Sequence, residues 1–165
     1  MAMGRRGALS HDIDFAVVLF GSDEDRPPGF AKPVAQGTEA AKAPARILIV
    51  EDEYFVGALA EGALADAGYE VVGIARSASE AVEMAVVHKP ALVVMDIRLH
   101  GDSDGVAAAI EILQRAGARC LFATAHTDDG TRGRARAANP SGWLAKPYRA
   151  ADLVEAVRSI LKRES

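Results

Sequence analysis

From Ala45 onward the chain alternates short apolar runs with amphipathic segments, and the alternation is repeated five times. Brief apolar runs bounded by polar or turn residues read as buried strands, whereas apolar positions recurring every three or four residues read as helices packed on one face. Strands are expected at 47–50, 69–75, 91–95, 119–123 and 142–145. The first helix is expected at 54–67 with Leu59, Ala63 and Leu64 inward, closed by Gly68, a residue that tolerates the left-handed C-terminal conformation. Ser77 or Ser79 can cap a second helix, which carries Ala81, Met84, Ala85 and His88 at helical spacing and is stopped by Pro90. A third runs over 105–116 to Gly117, and the last, 150–163, places Leu153, Val157, Ile160 and Leu161 on one stripe. The fourth, 127–138, is the weakest: Gly130 and Gly133 each cost roughly 1 kcal/mol relative to alanine, and its apolar face consists of alanines. Mobility is expected there. Strand and helix in strict alternation predict an α/β fold, a doubly wound five-stranded parallel sheet with helices on both faces.

Residues 1–44 follow another pattern. They carry scattered Gly and Pro, the acidic cluster Asp23-Glu24-Asp25, the Pro27-Pro28 break and a small polar run at 36–43. Such a stretch buries too little apolar area to offset its ordering entropy, so 1–44 is expected to be a mostly disordered N-terminal extension of a 45–163 domain. Phe15 to Phe20 is the exception, an apolar segment that could instead dock on the domain as a strand or helical turn.

Composition narrows the function classes. Half the residues are hydrophobic and a quarter charged, the balance of a soluble globular protein. A net charge of -4 argues against a nucleic-acid clamp, which needs a concentrated basic surface. No apolar stretch approaches the ~20 residues that cross a bilayer, so neither a span nor a secretory signal is expected. The single cysteine, Cys120, excludes an intramolecular disulfide, and its apolar neighbours predict a buried structural thiol in a reducing cytoplasm.

The chemistry gathers at strand ends. Glu51 and Asp52 follow the first strand, Asp96 the third, Thr124 the fourth and Lys146 the fifth. In a parallel sheet all of these lie at the carboxyl edge, where open α/β folds place their ligand crevice. Three carboxylates brought together are costly unless a cation sits among them, and oxygen donors of this kind suit magnesium. Taken alone, acids after a strand are ordinary first-turn helix residues, a terminal threonine is a backbone partner, and a lysine before proline is solvated surface. Asp96 stands apart, because it closes an unbroken apolar strand and precedes a Gly- and Asp-rich loop. A carboxylate there can act as a nucleophile towards phosphoryl groups, with Thr124 and Lys146 as donors to the phosphoryl oxygens. His11, His88, His100 and His126 lack metal-site spacing and read as tail, helix-end and loop residues.

The segments Ile47 to Glu53, Val94 to Leu99, Asp104-Gly105, Phe122 to Thr124 and Trp143 to Tyr148 together resemble the receiver domain of two-component response regulators, over about 45–163. The resemblance implies a flavodoxin-like fold, Asp96 as phosphoacceptor, and magnesium held by Glu51, Asp52, Asp96 and the Arg98 carbonyl. It implies Thr124 and Trp143 as the switch pair, Lys146 as phosphoryl contact and a cis Lys146-Pro147 bond. The chain departs from the common pattern at Leu99-His100, in a loop to Asp104 one residue longer, at Trp143 in place of a smaller aromatic, and at Ala125-His126. Phe122-Ala123-Thr124 is also similar to a Phe-Ala-Thr-Gly motif of single-domain regulators, with Ala125 in place of the glycine.

With the chain ending two residues past the last expected helix, output is expected from a change of surface over 127–138, 142–145 and 150–163. The implied donor is a sensor histidine kinase or phosphotransfer protein, and a homodimer through that same face is open. A receiver-like binding module working without phosphorylation is one alternative. A small aspartyl-intermediate phosphatase is another, opposed by the absence of an acid two residues after Asp96 and of a substrate cap. On this reading the protein is not a turnover enzyme.

Overall fold

The structure, a computed structural model, describes residues 43–99, 104–125 and 128–163, within the compact unit Lys42–Ser165. The expectations for 1–42, for the loop at 100–103 and for His11, His100 and His126 lie outside the described residues.

Five strands, β1 (Arg46–Val50), β2 (Glu70–Ala75), β3 (Leu92–Met95), β4 (Arg119–Thr124) and β5 (Gly142–Ala145), form one parallel sheet in the order β2-β1-β3-β4-β5. Between and after them run α1 (Tyr54–Asp66), α2 (Ala78–His88), α3 (Gly105–Ala116), α4 (Asp129–Ala135) and α5 (Ala150–Arg163). This is the expected doubly wound, flavodoxin-like α/β fold. Strand periodicity splits the core in two. Leu48, Val50, Val93, Met95, Cys120 and Phe122 face α2, α3 and α4, while Ile47, Ile49, Leu92, Val94, Leu121 and Ala123 face α1 and α5. Cys120 is fully buried, and burial pushes its thiol up to about 12.

Local chemistry sets the helix ends. The Ser77 hydroxyl accepts the Glu80 N–H at 3.3 Å, choosing between the two candidate caps of α2. Asp104 caps α3 by accepting the Val106 N–H at 2.9 Å, and Gly117 closes that helix at φ 70°. Leu59 is a correction: it is 74% exposed, and Gly57, Ala60 and Leu64 are the buried positions of α1. A Cβ on Gly57 would lie 3.1 Å from Ile74 Cγ2, so the helix settles close to the sheet at this glycine and turns Leu59 outward. In α2 the buried stripe likewise includes Val82, while Met84 and His88 are half-buried. The fourth helix is shorter than the expected 127–138. Regular helix covers Asp129–Ala135 and a 3-10 turn, Arg136–Ala138, completes it, with Ala135 and Ala138 as its buried residues.

Candidate functional site

Register brings the strand-end residues together. Val50 pairs with Met95, Met95 with Phe122, and Thr124 with Ala145, so the residues that follow leave the sheet along one edge. Backbone bonds carry the ladder one step further: the Asp96 N–H donates to the Val50 carbonyl and the Lys146 N–H to the Thr124 carbonyl, both at 2.9 Å. Beyond the sheet edge opens a cleft of about 320 Å³ whose walls include Asp52, Asp96, Arg98, Thr124, Ala125 and Lys146.

Glu51, Asp96 and Thr124 are the buried polar or charged residues among the described residues, and all three belong to this site. Oxygen atoms of Glu51, Asp52 and Asp96 lie within 4.8 Å of one another, a group that could hold a metal ion. The Lys146 ammonium donates to Glu51 Oε2 at 2.5 Å and to Asp96 Oδ2 at 2.6 Å. The other Asp96 oxygen accepts the Arg98 N–H at 3.1 Å. The Asp96 carboxylate is thus fixed from two sides while facing the cleft. The Lys146-Pro147 bond is cis.

The Lys146 ammonium pairs with two of the three clustered carboxylates, those of Glu51 and Asp96. Burial raises the Glu51 carboxyl above its ordinary value despite the bond from Lys146. For Lys146, burial works to lower the pKa, but the hydrogen bonds to Asp96 and Glu51 outweigh it and the net direction is upward, so the cation stays charged. Tyr148 is raised as well, chiefly by burial. Three clustered carboxylates offer the hard oxygen donors that suit a small divalent cation.

Trp143 lies behind the cleft rather than in it. Its ring packs on Phe122 with centroids 5.0 Å apart, and the Arg132 guanidinium of α4 sits over it at 5.2 Å. The sequence reading did not single out Glu53, which lines the cleft, although it stands in the same acidic run. Nor did it find Arg132 or Arg134, whose Nη1 lies 2.6 Å from Asp104 Oδ2. No local pattern signals a pair thirty positions apart.

Residues 47–158 match the family description "Response regulator receiver domain". The chain belongs to the response regulator receiver domain family. Among its relatives, the transcriptional regulatory protein PdtaR of Mycobacterium tuberculosis is 38% identical over 123 residues, 74% of this chain and 60% of PdtaR. The chemotaxis protein CheY of Bacillus subtilis is 35% identical over 117 residues, 70% of this chain and 97% of CheY. Among solved structures, the signal receiver domain of a modulated diguanylate cyclase from Desulfovibrio desulfuricans superimposes with a TM-score of 0.67 at 32% identity, covering 73% of this chain and 96% of that one. The chain matches 60% of the length of PdtaR and nearly all of CheY, so the likeness is to a receiver domain. No described helix is long and apolar enough to cross a membrane.

Proposed function

We propose that this receiver domain takes a phosphoryl group onto Asp96 from the phosphohistidine of a sensor kinase or phosphotransfer protein, and signals by a change of surface. The single observation that carries this reading is that the buried polar residues among the described residues gather at one end of the sheet, with Lys146 bound to the candidate nucleophile. In the transfer, a bond forms between an Asp96 carboxylate oxygen and phosphorus as the phosphorus–nitrogen bond breaks, and the imidazole leaves with a proton. Such a transfer needs positioning and charge neutralisation more than acid–base work.

Each residue has a defined part. The Arg98 N–H and Lys146 hold the two Asp96 oxygens, so the carboxylate is oriented before the donor arrives. The ammonium of Lys146 then offsets charge on the phosphoryl oxygens, and the Thr124 hydroxyl, at the end of β4, donates to one of them. Asp52, Asp96, Glu51 and the Arg98 carbonyl are the groups that would hold magnesium, which when bound supplies positive charge beside the phosphoryl group. Movement of Thr124 towards the phosphoryl group draws the backbone after β4 with it and alters the packing of Trp143 and α4. The face made by α4, β5 and α5 then differs between the two states. The protein accepts a group and releases it; it does not turn over a separate substrate.

Incubation with acetyl phosphate and magnesium, followed by intact mass, tests the assignment. The wild-type protein gains one phosphoryl mass and Asp96→Asn gains none. Equal gain by the variant refutes it, and no gain by either favours a binding module that works without phosphorylation.

A further inference from the structure

We propose that Asp104 and Arg134 link the position of α4 to the shape of the turn after Asp96, with Arg134 acting as a positioning residue through Asp104. Both oxygens of Asp104 are engaged: Oδ1 accepts the Val106 N–H at 2.9 Å and Oδ2 receives Arg134 Nη1 at 2.6 Å. Its side chain therefore belongs to the start of α3 and to α4 at once. Its backbone belongs to the acceptor turn. Asp104 forms an antiparallel bridge with Arg98, and the next residue, Gly105, donates its N–H to the Ile97 carbonyl at 3.1 Å. Gly105 is pressed so closely on that turn that a Cβ there would lie 2.2 Å from the Asp96 carbonyl oxygen and 2.9 Å from Ile97 Cα. A displacement of Asp104 is thus transmitted, backbone against backbone, to the residues that present the Asp96 carboxylate and the Arg98 carbonyl.

The other end of the link is weakly anchored by packing. Ala135 is the buried residue of α4 and Ala138 that of its 3-10 turn, so polar contacts carry a large share of what fixes this helix. Arg132 rests on Trp143 and Arg134 on Asp104, which ties α4 both to β5 and to the acceptor turn. Coupling between sites is reciprocal. A partner that moves α4 loosens the turn, and a turn ordered by a bound cation favours the docked Arg134. The Arg134 side chain is 58% exposed, so the pair biases a balance rather than locking it. The consequence for cation binding rests on the function proposed above; the link between α4 and the turn does not.

Arg134→Gln and Arg134→Lys test the link by two readouts on the full chain. The first is amide exchange at Gly105 and Arg98 by NMR without added metal. Arg134→Gln is expected to exchange about two- to fivefold faster than wild type, the range an exposed ion pair supports, with Arg134→Lys closer to wild type. The excess should shrink in about 1 M salt, which screens such a pair. Unchanged exchange in Arg134→Gln overturns the link whether or not the protein binds metal. The second is a magnesium titration followed by the fluorescence of Trp143, the single tryptophan. The midpoint in Arg134→Gln should be about two- to fivefold weaker, and an identical midpoint overturns the coupling to the site. A wild-type protein with no magnesium response contradicts the proposed function instead, while the exchange result still decides the link.

Discussion

A carboxylate buried as deeply as Glu51 is held there by the Lys146 ammonium, 2.5 Å away. The arrangement has a cost that pH exposes. With its folded pKa raised above 4.5, Glu51 contributes stability that is fully present below that value and lost as pH rises through the folded value. In magnesium-free buffer the urea midpoint of the wild-type protein is therefore expected to fall as pH rises above 4.5, and Glu51→Gln to show a shallower fall. A variant with the wild-type slope would place the titration elsewhere. Glu51, Asp52, Asp96, Thr124 and Lys146 were all legible in the sequence, since each terminates or follows an apolar run and a parallel sheet gathers such ends along one edge. Arg134 was not, because its partner is close only after α3 and α4 have packed side by side.

Among the elements, α4 is the one whose sequence is least committed to its structure. Gly133 has nothing within 4 Å of the position a Cβ would take, so its glycine serves no steric need. Gly133→Ala should therefore stabilise the protein by about 0.5–1 kcal/mol in denaturant titration. If α4 changes packing on phosphorylation as proposed, the same variant holds the unphosphorylated arrangement more firmly. Gly105 is the opposite case. Gly105→Ala drives a methyl into the backbone of Asp96 and Ile97, and a loss on the order of 1–3 kcal/mol is expected, together with slower uptake of phosphate because the acceptor turn must shift. Stability and phosphorylation rate both unchanged would show that the turn is looser than its geometry. Element type and order were readable from periodicity, whereas the rotation of α1 was not. Helical spacing with Ala63 and Leu64 suggested Leu59 inward, but Gly57 sets the close approach of the helix to the sheet.

For the whole molecule, the doubly wound topology does the assembling. Crossovers put helices on both faces, leave the carboxyl edge of the sheet open, and so turn residues far apart in sequence into one cleft. The alternation of strands and amphipathic segments made this architecture legible from Ala45 onward, and the motifs at the strand ends made the family legible as well. The central claim is that the phosphoryl group arrives at one carboxylate among several neighbours. Borohydride reduces an aspartyl phosphate to homoserine, so peptide mapping of protein treated with acetyl phosphate, magnesium and then borohydride reads the site directly. The account predicts homoserine at position 96 and at no other aspartate; reduction at Asp52, or none anywhere, would contradict it.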